Sequence, residues 1–168
     1  MKRIGILSDT HSCWDARFAE HFADCNEIWH AGDIGCVDVI RQLEGVCPVV
    51  RAVHGNIDTG ECRRYFPEIQ QFKVEDVPVF MTHIGGYPGR YQPGITQMLY
   101  EAGARIFVCG HSHILKVIYD DRLNCLHINP GAAGYSGWQQ QRTLVKVDID
   151  GATPRNLEVI ELGGRRKF

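Results

Sequence analysis

The residues best suited to hold cations fall at one kind of place in this chain, directly after its short apolar runs. Runs rich in Ile and Val span 4–7, 27–29, 49–53, 77–81, 106–109, 116–119, 125–128 and 144–149. Each is of strand length and bounded by Gly, Pro, Asp or Asn. Helix-length segments at 14–23, 37–43 and 95–102 separate the early runs, and Gly103 closes the last where a helix end favours glycine. From about residue 105 onward turns such as Asp120-Asp121 and Asp150-Gly151 replace the helices. The pattern predicts an α/β fold, parallel in its first half and antiparallel in its second.

Asp9 and His11 follow the first run, Asp33 the second, Asn56 the third, His83 the fourth, and His111 with His113 the fifth. Ligands of open α/β sheets bind at the carboxyl ends of strands, so these seven side chains converge on one edge. Imidazole nitrogens with carboxylate or amide oxygens, and no thiolate, suit Mn²⁺, Fe²⁺, Co²⁺, Ni²⁺ or Zn²⁺. Seven ligands exceed one tetrahedral ion and suffice for two that share a carboxylate, as in dinuclear phosphoesterases and nucleases. Asp-x-His and His-x-His place both members of each pair on the same side of an extended segment. The glycines before Asp33, Asn56 and His111 are expected to allow tight turns there.

Each of these residues alone has a plainer role. Asp9 could cap a helix, Asp33 could form a turn, Asn56 could occupy a left-handed turn, and His83 could be a satisfied, partly buried histidine. Two imidazoles at 111 and 113 resist that treatment, because burying both is costly without partners. Of the other histidines, His21 and His127 read as structural, while His30 and His54 lie near the ligand edge as candidate hydrogen-bond supports.

Composition narrows the function. Among 168 residues, 18 Lys or Arg oppose 20 Asp or Glu, a formal charge of −2, so no dedicated nucleic-acid surface is indicated, although a small anionic substrate is compatible. Seven widely spaced cysteines without a C-x-x-C pair indicate neither a disulfide framework nor a thiolate zinc site, which favours a reducing, cytoplasmic setting. The apolar start at 4–7 is too short for a signal peptide, and no run approaches the ~20 residues of a membrane span. Residues 1–168 read as a single domain with a solvated basic tail at 165–168. Monomer and homo-oligomer both remain open.

Asp9-x-His11, Gly32-Asp33, Gly55-Asn56-x-Asp58, Thr82-His83 and Gly110-His111-Ser112-His113, in that order, resemble the motif series of the calcineurin-like metallophosphoesterases. The short length and Asn129-Pro130-Gly131 are similar to the small prokaryotic phosphodiesterase branch, and the likeness covers roughly residues 2–150. The resemblance implies a four-layer αββα sandwich and two divalent metal ions, Mn²⁺ foremost. It assigns Asp9, His11 and His113 to the first metal and Asn56, His83 and His111 to the second, with Asp33 bridging. The implied reaction is hydrolysis of a small phosphate diester by a metal-bridging hydroxide. Phosphomonoester or dinucleoside polyphosphate hydrolysis, and a non-catalytic scaffold like the eukaryotic retromer subunit of this fold, are the alternatives. A Rossmann nucleotide binder is disfavoured, since Ser8-Asp9-Thr10-His11 stands where a glycine fingerprint would follow the first strand.

Two positions depart from the family pattern. Ile57 stands where many relatives carry a histidine that protonates the leaving group, and Gly85 where relatives often carry another. That leaves Asn56, Asp58, His54 and Arg90 as candidate substrate contacts, with His54 or Arg90 as the replacement donor. Tyr87-Pro88-Gly89-Arg90-Tyr91 is either a lid over the metals or a solvated loop.

Overall fold

The computed structural model describes residues 1–165 and contains two five-stranded sheets. The first comprises β1 (Lys2–Leu7), β2 (Glu27–His30), β3 (Val50–Ala52), β11 (Gln141–Asp150) and β12 (Thr153–Gly164), ordered β12-β11-β1-β2-β3. The second comprises β4 (Ile69–Val74), β5 (Val77–Thr82), β8 (Ile106–Val108), β9 (Leu115–Asp120) and β10 (Cys125–Pro130), ordered β4-β5-β8-β10-β9. A hairpin of β6 (Gly86–Tyr87) and β7 (Arg90–Tyr91) stands apart. The helices are α1 (Ala16–Phe22), α2 (Val37–Val46), α3 (Gly60–Tyr65) and α4 (Ile95–Ala102).

Alternation along the strands explains the layering. Ile4 and Ile6 of β1, Trp29 of β2, and Val145, Val147 and Ile149 of β11 pack against Val77, Val79 and Met81 of β5 and Ile106 and Val108 of β8. Their neighbours Leu7, Ile28 and Leu144 point the other way, onto Phe18 and Phe22 of α1 and Val39, Ile40 and Leu43 of α2. Phe80 and Phe107 face outward from the second sheet onto Ile95 and Leu99 of α4. The three- and four-residue spacings give α1, α2 and α4 one apolar stripe each, so each of these covers a sheet face. The αββα sandwich follows.

The expected change from parallel to antiparallel pairing is present, but it occurs within each sheet. β1, β2 and β3 are parallel and the late pairs β9–β10 and β11–β12 antiparallel. However, β4–β5 is already antiparallel, and β5–β8 and β8–β10 are parallel. Besides the two-residue strands β6 and β7, three elements had no sequence signal. Only Cys62 of α3 is buried, β4 carries two glutamines and a lysine at a sheet edge, and β12 is an edge strand with most of its side chains exposed. Edge elements bury too little apolar surface to leave a pattern. Of the expected basic tail, Arg165 still donates its backbone N–H to Gln140 O, and 166–168 lie outside the described residues.

Candidate metal centre

The carboxyl ends of β1, β2, β3, β5 and β8 bring all seven expected ligands to one edge. Ligand atoms of Asp9, His11, Asp33 and His113 lie within 4.8 Å of one another, as do those of Asp33, His83 and His111, so Asp33 is common to both groups. Asn56 joins the second group, with its Oδ1 2.9 Å from His111 Nδ1.

The two carboxylates share one design. Asp9 Oδ2 accepts from Ser8 Oγ (2.6 Å) and the backbone N–H of His111 (3.2 Å). Its Oδ1 is buried without a hydrogen-bond partner among the described residues, 3.1 Å from His113 Nε2 and 3.8–3.9 Å from those of His83 and His11. Asp33 Oδ1 accepts from the backbone N–H of Ile57 (3.0 Å), which leaves Oδ2 between His83 Nε2 (3.2 Å) and His11 Nε2 (3.5 Å). One oxygen of each acid is fixed by the protein and the other faces a ring of imidazole nitrogens.

Two of the imidazoles are held in the tautomer a metal needs. His83 Nδ1 donates to Ala31 O at 2.7 Å, which puts the lone pair on Nε2. His113 Nδ1 donates to Gln139 Oε1 at 2.8 Å, and the Gln139 amide is fixed by donating to Gly134 O and Ser136 O. His11 Nε2 and His83 Nε2 are buried and unpartnered among the described residues. Leaving such atoms unsatisfied costs on the order of 1–3 kcal/mol each, so their convergence fits bound cations. The donor set is oxygen and imidazole, which suits borderline divalent metals.

Electrostatics follow from this geometry. Asp9, 3.1 Å away, raises the pKa of His113 above its ordinary value. Burial opposes a charge on His83, but Asp33 and the charge of Asp9 outweigh it and raise its pKa. Burial likewise works against the Asp33 carboxylate, and His83 more than compensates, so its pKa is lowered. Burial, helped by His83, lowers His111.

The backbone is bent to make this arrangement. Asp9, His11, Asp33, His111 and His113 all have φ between 46° and 71°, a left-handed conformation costing on the order of 1–3 kcal/mol per residue and typical of functional sites. Asn56, for which a left-handed turn was the plain alternative, is not among the positive-φ residues. The turn expectation for the glycines holds only at Gly32 (φ 102°). At Gly55 and Gly110 close approach decides: a Cβ would collide with Asp33 at one and with Ser8 Oγ and Asp9 Oδ2 at the other.

Four expected substrate contacts fare differently. Asp58 is fully buried and accepts from the backbone N–H groups of Ile34, Gly35 and Gly55, so it ties the Asp33 loop to the Asn56 loop and cannot touch substrate. His54 donates Nδ1–H to Phe66 O (2.8 Å) and lines a pocket of about 260 Å³ together with Asn56, Arg63 and His83. Arg90 is exposed on the β6–β7 hairpin, and from that hairpin Tyr87 lines the cavity next to His111. At position 57 the side chain is exposed and the backbone N–H donates to Asp33 Oδ1. A Cβ at Gly85 would meet the Phe107 ring, which accounts for glycine there.

Gln139 carried no sequence signal because it lies 26 residues from its partner His113, and Ser8, although it adjoins Asp9, because a single serine before a motif aspartate marks no role by itself. His30 was expected near the edge and lies beneath it. Its Nδ1 accepts from Gly32 N–H (3.1 Å) while Nε2 meets Thr10 Oγ1 (3.0 Å), joining the loops that carry His11 and Asp33. Burial drives its pKa down to about 4, so the ring is neutral.

Residues 1–152 match the family model described as the calcineurin-like phosphoesterase superfamily domain. The chain belongs to the calcineurin-like phosphoesterase superfamily. It is 33% identical over 140 residues to a probable metallophosphoesterase of Methanothermobacter thermautotrophicus, covering 77% of this chain and 76% of the relative. It is 28% identical over 149 residues to a phosphodiesterase of Methanocaldococcus jannaschii, covering 79% of this chain and 86% of that protein. Among solved structures it resembles an archaeal phosphodiesterase (TM-score 0.72, 23% identity, 95% of this chain and 99% of that one). It also resembles Vps29 of Entamoeba histolytica complexed with zinc (TM-score 0.74, 14% identity, 95% and 98%). These likenesses, below 25% identity, show a shared fold. Among the described residues no helix is long and apolar enough to cross a membrane.

Proposed function

We infer that this phosphoesterase-family chain is a dinuclear metal-dependent phosphodiesterase. The observation that carries the reading is Asp33 Oδ2, placed between two imidazole nitrogens from two ligand groups while Oδ1 is held by the protein. Asp9, His11 and His113 would hold one ion, Asn56, His83 and His111 the other, and Asp33 both. When bound, two such ions supply Lewis acidity toward a phosphate oxygen and a water acidified to near-neutral pKa. Mn²⁺ is the first expectation, and the absence of thiolate from both ligand groups supports a metal of its type.

The chain's own residues orient and hold. Ala31 O and Gln139 fix the imidazoles of His83 and His113, Ser8 and the His111 amide fix Asp9, and Asn56 faces outward beside His111, where a phosphate oxygen would arrive. No histidine stands at 57 or 85 to protonate a leaving group, and general acid help is typically worth 10²–10⁴-fold. Esters whose leaving groups need no proton should therefore react best. Widely spaced cysteines without a C-x-x-C pair accord with a cytoplasmic setting. The test compares bis(4-nitrophenyl) phosphate with 4-nitrophenyl phosphate on Mn²⁺-loaded protein. Faster diester turnover is expected, faster monoester turnover would move the assignment to a phosphomonoesterase, and no turnover with no bound metal would favour a scaffold.

A further inference from the structure

A second cavity, of about 200 Å³, opens beside His111 and includes Ile84, Tyr87, Gln92, Ile114, Lys116 and His127 in its lining. Its apolar walls are open to solvent: Ile84, Tyr87 and Ile114 are 38%, 39% and 45% exposed. The Lys116 ammonium lies 4.1 Å from the centre of the Tyr87 ring, a cation–π contact that fixes one wall. Tyr87 is carried by the short β6–β7 hairpin, and Tyr91 of the same hairpin donates to Asp120 (2.7 Å), so the wall is anchored.

The buried member of the lining is His127, 1% exposed, with its ring edge-on to Phe107. Its Nδ1 has no hydrogen-bond partner among the described residues. Burial lowers its pKa to about 4, so the ring is neutral near pH 7 and carries a single proton. That proton can be located. The Cys109 thiol donates to Gly86 O (3.6 Å). With the thiol proton used there, the sulfur 3.9 Å from His127 Nε2 can only accept, so the imidazole proton is on Nε2. Nδ1 therefore presents a lone pair and wants a donor. A buried acceptor without a donor is costly, and a ligand that supplies one recovers that cost.

We propose that this cavity is the substituent pocket of the phosphodiester site and receives a planar ring bearing an N–H donor, of the nucleobase class. The ring would stand against Tyr87 and the two isoleucines, with its N–H directed to His127 Nδ1 and its polar edge toward Lys116 and Gln92. Because His111 and Gly110 belong to both the cavity and the ligand edge, an ester whose phosphate meets the metals has one substituent beside the cavity. This assignment rests on the phosphodiesterase reading for its role in turnover, though the pocket itself can be probed without metal.

Three esters test it on Mn²⁺-loaded protein: thymidine 5′-(4-nitrophenyl phosphate), its N3-methyl analogue, and methyl 4-nitrophenyl phosphate. The thymidine ester should exceed the methyl ester in kcat/KM by about 10-fold or more from ring burial, and N3-methylation should remove about 3- to 10-fold, the effect of one hydrogen bond. His127→Phe, and Tyr87→Ala as a surface variant that leaves the core untouched, should each bring the thymidine-to-methyl ratio toward one. In metal-free protein, millimolar thymidine should shift the ¹⁵N resonance of His127 Nδ1, and N3-methylthymidine should not. Equal kcat/KM for the thymidine and methyl esters, or a ratio unmoved by both variants, overturns the pocket. A thymidine-dependent His127 shift without hydrolysis of any ester would leave the pocket standing and strike the phosphodiesterase reading instead.

Discussion

The two groups of candidate ligands share Asp33 but are built differently. In the first, Asp9 is fully buried, His113 is 9% exposed, and Gln139 behind it is 6% exposed with its amide fully engaged. In the second, His83 is buried and held by Ala31 O, while His111 and Asn56 are exposed and contact each other. A ligand whose tautomer and rotamer are fixed loses little entropy on binding a cation, so the first half should hold its ion more tightly. The second group is the more open to solvent.

The largest effect is expected where the halves meet. Asp33→Asn removes the shared charge, and diesterase activity should fall by at least about 10³-fold, beyond the ~10–100-fold typical of losing an outer partner, with both ions weakened by calorimetry. Loss of only one ion would break the idea of a shared ligand. Acid stability of the metal-free protein probes the layer beneath. His30 has a pKa of about 4 when folded against an ordinary 6.5, so the folded state binds fewer protons between those values. Its contribution is present above pH 6.5 and is lost as pH falls toward 4, by about 3 kcal/mol. Denaturant melts of His30→Asn should be flatter than wild type across that window; parallel curves would contradict the buried neutral ring.

Smaller effects sharpen the asymmetry. Gln139→Leu frees the His113 tautomer and should weaken the first ion by about 10–100-fold while sparing the second. Asn56→Ala should weaken only the second, by about 10-fold, measurable as the later step of a Mn²⁺ titration. Equal losses at both steps in either variant would mean that the halves are not separable. Proton competition gives a further check: His83 and His113 have raised pKa values without metal, so Mn²⁺ affinity should fall as pH drops through and below neutrality, with protons released on binding.

The convergence of the seven candidate ligands was legible in the sequence because residue type and strand-end position mark them independently of the loops' paths. The central strands and the helices α1, α2 and α4 were legible for a similar reason, as each carries an apolar period. What escaped depends on which loops meet in space. Asp58 looked like a substrate contact, yet its carboxylate is used up by three backbone N–H groups that only the fold brings together. Gln139 is 26 residues from His113 in a loop with no periodicity. The second sheet was implied by family resemblance alone, and the antiparallel start of that sheet rests on β4, whose polar edge residues hide it.

The most direct test of the shared-carboxylate site is metal content and placement, read by elemental analysis and anomalous scattering from protein loaded with Mn²⁺. The account predicts two ions per chain, one on each side of Asp33 and each touching it, and their loss in Asp33→Asn. A single ion, or two ions with Asp33 bound to only one, would contradict it.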